Sequence, residues 1–258
     1  NVINPEVSVI TNIGLDHTQF LGTTLAEIAS EKAGIIKSKI PVVIGEAKPE
    51  TTVVFLDKVR KEKSPILFVE EEEFPEFKTD LLGNYQIKNY KTAYATLGVL
   101  EQKGWNISNK NIENGFLNVA KNTGLQGRWQ LLNKSPKVIC DTAHNKEGLS
   151  LVLNQLKKEE FDQLHIVLGV VADKNLDVIL PLFPKNAIYY FCAPNLERAM
   201  SANELKELAQ QKSLRGQSYS SVNDAFLEAK KAANAADFVF VGGSTFVVAE
   251  VLSALISE

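Results

Sequence analysis

Short apolar runs separated by stretches of helical periodicity recur along the whole chain, and this alternation constrains the fold more than any other feature. Runs at 7–11, 41–44 and 65–69 have strand length and are rich in β-branched residues, as buried strands are. Between the first two, Thr24-Leu-Ala-Glu27 reads as a capping box that opens a helix through Ala33, with Gly34 as its stop. Another helix is expected over 51–63. The pattern restarts with strands at 136–141, 165–169, 187–192 and 238–242. Apolar helix faces accompany them: Leu149, Val152, Leu153 and Leu156; Leu205 and Leu208; Ala225, Phe226 and Ala229; Val248, Val251, Leu252 and Leu255. Strands that feed helices that feed strands run parallel, so the expected class is α/β, with helices on both faces of doubly wound sheets. A helix carrying Tyr90, Ala93, Tyr94 and Leu97 stops near Gly104, and a shorter one over 112–120 leads into the turn-rich stretch 122–127. That stretch reads as a linker, giving two expected domains, 1–124 and 125–258.

Composition narrows the function classes. A net charge of -3 with lysines and acids interspersed provides no basic field for nucleic acid or an anionic membrane. The longest apolar runs have strand length, far below the ~20 residues of a membrane span, and no signal peptide opens the chain. A cytoplasmic protein is expected. Both cysteines, Cys140 and Cys192, end apolar runs and form no metal-spaced pair, so they read as reduced core residues. The acidic run at 70–73 reads as a solvated loop.

In open α/β sheets ligands bind beyond the carboxyl ends of the strands. The polar residues there are 11–17, 141–145, 169–174 and 242–245, which include two of the three histidines, His17 and His144. His165 starts its strand and is expected to be structural. Lys32 falls in line with the stripe of Leu25, Ile28 and Ala29, which leaves two readings open. It could snorkel from the stripe's end, or be a desolvated amine of lowered pKa that reacts with carbon dioxide to give an anionic carbamate. Gly242-Gly-Ser-Thr stands at a strand-to-helix junction, where amides and a hydroxyl suit a carboxylate or phosphate. The same residues would serve as a tight turn with a serine N-cap. A hydrolase nucleophile elbow fails, because Phe246 occupies its final glycine position.

Taken together, Ile10-Thr-Asn-Ile-Gly-Leu-Asp-His17 and Ala29-Ser-Glu-Lys-Ala-Gly-Ile-Ile-Lys37 resemble the central-domain signature of the Mur-ligase superfamily, particularly its folate branch. Gly127-Arg128 and Asp141-Thr-Ala-His-Asn145 resemble that family's arginine and the opening of its Rossmann-like C-terminal domain. Gln86 to Asn89, Asp173-Lys174, Arg198-Ala-Met-Ser-Ala and Val241-Gly-Gly-Ser-Thr fit as well. The resemblance implies the remainder of a central ATPase domain over 1–124 and a glutamate ligase domain over 125–258. It also implies MgATP-dependent phosphorylation of a folate's terminal carboxylate, followed by attack of the amine of L-glutamate on the acyl phosphate. By the same resemblance His17 is a magnesium ligand and Lys32 a carbamylated lysine near that metal. Asn89, Arg128, Asp141, His144 and Asn145 contact the nucleotide. His144 and Ser244 position glutamate and the reacting carboxylate, and the intact enzyme is a monomer.

Departures from the family pattern matter too. G-x-x-x-x-G-K-[ST], whose amides and lysine hold the triphosphate, occurs nowhere in the sequence, and Asn1 rather than methionine opens it. The chain is therefore expected to be the C-terminal two-thirds of a longer enzyme, inactive by itself, with strand 7–11 left as an open edge. Thr142 and Lys146 stand where relatives carry a small residue and proline. Two other functions stay open: a Mur-type ligase of cell-wall precursors, and a non-catalytic nucleotide-binding module.

Overall fold

Three short parallel strands organise the first of two units. A computed structural model describes residues 2–15, 18–172 and 174–256; His17 and Asp173, both weighed above, lie outside the described residues. One unit comprises Asn1–Asp80 and Tyr85–Thr123, the other Leu81–Asn84 and Gly124–Glu258. The segment Leu81–Asn84 departs from the expected division. Asn84 donates its backbone N–H to Gln155 Oε1 (2.7 Å), and Gln155 Nε2 donates to the Leu82 carbonyl (3.1 Å).

In the first unit the elements run β1 (Ser8–Ile10), α1 (Thr18–Leu21), α2 (Leu25–Ala33), β2 (Val42–Ile44), α3 (Pro49–Glu62), β3 (Ile66–Phe68), α4 (Gln86–Gln102), α5 (Asn109–Leu117) and α6 (Val119–Thr123). The sheet order is β1-β2-β3, all parallel. The capping box forms as expected. Glu27 N donates to Thr24 Oγ1 (3.2 Å), and Thr24 N donates to Glu27 Oε2 (3.0 Å). Alternation in β2 divides the packing. Val42 and Ile44 join Ile28, Ala29 and Ala33 of α2 with Phe55 and Val59 of α3, whereas Val43 joins Val69 and Ala95 on the opposite face. Both faces being covered, the strand is a continuous apolar run. Of the acidic run, Glu70 accepts from the Ala47 N–H (3.2 Å).

The second unit runs β4 (Gln130–Lys134), β5 (Lys137–Cys140), α7 (Lys146–Leu156), β6 (Leu164–Leu168), α8 (Leu176–Ile179), β7 (Ile188–Phe191), α9 (Ala202–Gln211), β8 (Arg215–Ser218), α10 (Val222–Ala232), β9 (Phe238–Gly242) and α11 (Thr245–Ile256). Its order is β4-β5-β9-β6-β7-β8, parallel except for the antiparallel β4. Neither β4 nor β8 is anticipated by the sequence pattern. They occupy the sheet's two margins, where side chains stay partly solvated, and their sequences, QLLNK and RGQS, lack a buried-strand signature. Val138, Val167, Val239 and Val241 pack against Val222, Ala225 and Phe226 of α10 and Val247, Val248 and Val251 of α11. The intervening Ile139, Ile166, Leu168, Tyr189 and Phe191 are equally buried, so this sheet too is covered on both faces. Cys140 and Cys192 are free and buried, and burial pushes the Cys140 thiol up to about 12.

His165 is buried at the start of β6, with Nδ1 3.0 Å from the Tyr190 hydroxyl and Nε2 3.5 Å from Asp237 Oδ2. Burial lowers its pKa. Asp237 is lowered chiefly by the backbone N–H of Asn234. Both groups therefore bind protons less readily folded than unfolded, and acid favours the unfolded chain. The stability that His165 contributes is complete above the ordinary imidazole range near 6.5 and is lost as pH falls below it; that of Asp237 follows below the ordinary carboxylate value of 3.8. Thermal melts between neutral pH and pH ~5 should show a smaller acid loss for His165→Gln than for the wild type. An equal loss would refute the assignment.

Candidate functional site

At the carboxyl end of β5 the chain turns sharply, and a single buried carboxylate holds the turn. Asp141 extends the strand by donating its N–H to Val241 O (3.0 Å). Its Oδ2 accepts from Trp129 N (2.7 Å), and its Oδ1 accepts from Ala143 N (2.8 Å). These bonds tie 127–129 to 141–143, reinforced by Thr142 N donating to Gly127 O (3.0 Å). Gly127 has φ +69°, and a Cβ there would stand 2.7 Å from Thr142 Cγ2, so the approach requires glycine. The half-buried Arg128 is thereby set beside Thr142, and its Nη1 donates to Thr142 Oγ1.

The next residues are placed by the start of α7. Asn145 is its N-cap, accepting from Gly148 N (2.9 Å). His144 Nδ1 lies 3.1 Å from the Thr142 carbonyl, a contact that requires the proton on Nδ1. Beyond β9, Gly243 turns with φ +89°, and the buried Ser244 accepts from Phe246 N through Oγ (3.2 Å). The segment after β6 joins this edge: Ala172 N donates to Arg198 O (2.9 Å), and the Arg198 guanidinium lies over the Phe246 ring at 5.3 Å. Arg128, Asp141, His144, Asn145 and Ser244 thus lie at the end of the sheet where β5 and β9 have their carboxyl ends. Arg198 joins them although sequence reasoning assigned it no role. The stretch Arg198-Ala-Met-Ser-Ala fits the family pattern, which marks the position but not its function.

In the first unit, Glu46 N donates to Thr11 O (2.9 Å), and Lys88 pairs with Glu46. Asn89 donates to Gln86 Oε1 (2.7 Å) on the first turns of α4. Lys32 is exposed. The buried stripe of α2 runs Ile28, Ala29 and Ala33, one position beyond the lysine, which leaves Lys32 at its solvent margin. Among the described residues no group of three or more His, Cys, Asp or Glu side chains could hold a metal. No helix among them is long and apolar enough to cross a membrane.

Residues 127–245 match the family model of the Mur ligase glutamate ligase domain. The chain is 30% identical to the dihydrofolate synthase/folylpolyglutamate synthase of Escherichia coli K12 over 279 residues, covering 99% of this chain and 61% of that protein. It is 28% identical to the Bacillus subtilis protein of the same name, covering 97% of this chain and 63% of the relative. The chain therefore spans about three-fifths of the length of these curated relatives. Among solved structures, E. coli FolC in complex with DHPP and ADP superposes with a TM-score of 0.83 at 27% identity, over 98% of this chain and 62% of that one. A bifunctional folylpolyglutamate synthase/dihydrofolate synthase with Mn, AMPPNP and L-glutamate bound gives a TM-score of 0.79 at 25% identity, over 97% and 62%.

Proposed function

The chain belongs to the Mur ligases, in the branch that contains the folylpolyglutamate synthases, and from that premise we propose that it forms part of an ATP-dependent ligase joining L-glutamate to the terminal γ-carboxylate of a folate. One observation carries the reading furthest: the loops at 127–129, 141–145 and 242–245 meet at one sheet edge, each bearing a residue of the motifs. DHPP with ADP, and L-glutamate with AMPPNP, bound in related proteins support the same ligands here. Relatives named for dihydrofolate synthase extend the proposal to dihydropteroate as acceptor.

The carboxylate of a folate is a poor electrophile, and converting it to an acyl phosphate gives the incoming amine a leaving group. Arg128 supplies a fixed positive charge for the nucleotide's phosphates, and Asp141 holds the loop that presents it. Asn89 and Asn145 offer amide donors and acceptors to the nucleotide. Ser244, with the backbone N–H groups that open α11, suits a carboxylate, and His144 can position the amine. Magnesium would offset phosphate charge when bound. Among the described residues no group of three or more His, Cys, Asp or Glu side chains stands ready for it. His17 and a carbamylated Lys32 are its proposed ligands on the strength of the resemblance. A carbamate carbon signal from 13C-bicarbonate that disappears in Lys32→Arg would support that assignment; its absence at saturating bicarbonate would end it.

Three measurements test the function. Glutamate incorporation into tetrahydrofolate, assayed with the product of the complete coding region, should require MgATP; incorporation into no folate or pteroate would defeat the proposal. The 258-residue chain assayed alone should release no phosphate from MgATP, because the sequence lacks G-x-x-x-x-G-K-[ST]. Arg128→Ala should weaken ADP binding about tenfold, the loss of one charged hydrogen bond.

A further inference from the structure

A second concave site lies on the opposite margin of the second sheet, along β7 and β8. The parallel register pairs Ile188 with Arg215 and Tyr190 with Gln217. Side chains two apart share a face, so these four residues and Tyr219 stand on one side of the sheet. Tyr219 stacks on Tyr190 at 5.6 Å and 26°. Helix α10 packs on β6, β7 and β9, and β8 is the last strand. Ile188 is 42% exposed, and Arg215 and Gln217 are exposed. The result is an open cavity of about 600 Å³ between the turn at 185–187 and Tyr219.

Its chemistry is asymmetric. Lys185 and Arg215 line it, Lys206 reaches Gln217 Oε1 at its rim (3.0 Å), and no lining residue carries a carboxylate. Ile188 and the tyrosine rings supply an apolar floor. Behind the floor, the Tyr190 hydroxyl is engaged by buried His165, which faces Asp237. That chain fixes the ring that Tyr219 stacks upon. Burial, and after it the charge of Glu228, raises the Tyr219 pKa, so the ring remains a neutral surface at physiological pH. Drug-sized ligand pockets fall in the range of roughly 300–1,000 Å³. None of these residues belongs to the loops at 127–129, 141–145 or 242–245.

We propose that this cavity binds a planar aromatic anion, its ring lying on Tyr219 and Ile188 and its carboxylate between Arg215 and Lys185. The site stands independently of the ligase reading. Benzoate titrated into the 15N-labelled chain is the test, with acetate (charge without ring) and benzyl alcohol (ring without charge) as comparisons. Benzoate should produce saturable shifts in the amides of 188 and 215–219, with both comparisons binding about tenfold more weakly or less. Arg215→Gln, Lys185→Gln and Tyr219→Ala each change an incompletely buried side chain, so native signal dispersion should persist. Arg215→Gln and Tyr219→Ala should each weaken benzoate about tenfold, the loss of one charged contact or one ring contact. Lys185→Gln should weaken it less. Failure to saturate by about 10 mM, unchanged affinity in these variants, or shifts confined to 127–145 and 242–245 would overturn the proposal.

Discussion

Asp141→Ala should lower the stability of the second unit by about 3–5 kcal/mol and abolish ordered ADP binding. The Asp141 carboxylate is buried and accepts backbone N–H groups from Trp129 and Ala143 on opposite sides of the turn. Removing it strands two donors, and an unsatisfied buried donor costs about 1–3 kcal/mol. Trp129 is also held at φ +49°, a left-handed conformation for a bulky residue that persists only while its surroundings enforce it. For a unit of this size the loss corresponds to roughly 10 °C or more in Tm. Asp141→Asn keeps one acceptor oxygen and should recover about half of it. Thermal melts of both variants decide the matter: a fall of less than about 1 kcal/mol for Asp141→Ala would show that the turn is held by something else. Arg128→Ala separates the two roles of this turn, because it should reduce ADP binding while leaving Asp141 and its bonds in place.

How much of this was legible in the sequence depends on where each element lies. Strands β2, β5, β6, β7 and β9 are central or near-central and covered on both faces, so burial writes itself as an apolar run. Strands β4 and β8 flank the sheet, and their order follows from pairing with neighbours distant in sequence. Nothing local in RGQS marks a strand. What fixes β8 is Gly216, where a Cβ would lie 1.9 Å from the Tyr189 carbonyl oxygen, and that is a tertiary fact. The unexpected placement of Leu81–Asn84 has the same origin, since Gln155 bonds Asn84 and Leu82 from 71 and 73 residues away.

The candidate site divides along the same line. Position relative to strand ends was enough to single out 141–145 and 242–245, because ligand sites in open α/β sheets follow topology rather than residue type. Lys32 shows the limit of periodicity. A lysine at the seventh position of an apolar stripe can fall inside or outside the core by one residue, and here Ala33 takes the buried place. Asp141 shows the opposite limit. Its residue type suggested a ligand contact, yet the structure also gives it a scaffold role that no sequence spacing reveals, because Trp129 lies twelve residues upstream.

Gly243→Val should be the most damaging single change at the other end of the site, costing about 3 kcal/mol or more and displacing Ser244. Gly243 has φ +89°, which L side chains rarely adopt, and a Cβ would stand 2.5 Å from Leu168 Cδ1 and 2.8 Å from the Gly169 carbonyl. Leu168 could swing aside, but the carbonyl is backbone at the end of β6 and cannot move without unpairing it. Strained backbone costs about 1–2 kcal/mol, and forced overpacking adds about 1–3 kcal/mol. Gly243→Ala suffers the same φ and the same Cβ, so it should lose most of that stability, whereas Gly98→Ala, in open space within α4, should be neutral or slightly stabilising. Because Ser244 is buried and fixed by the next turn of α11, displacing it should also weaken any carboxylate held there. Equal Tm for Gly243→Ala and Gly98→Ala would show that the turn after β9 is soft, and a soft turn could not hold Ser244 for a substrate carboxylate.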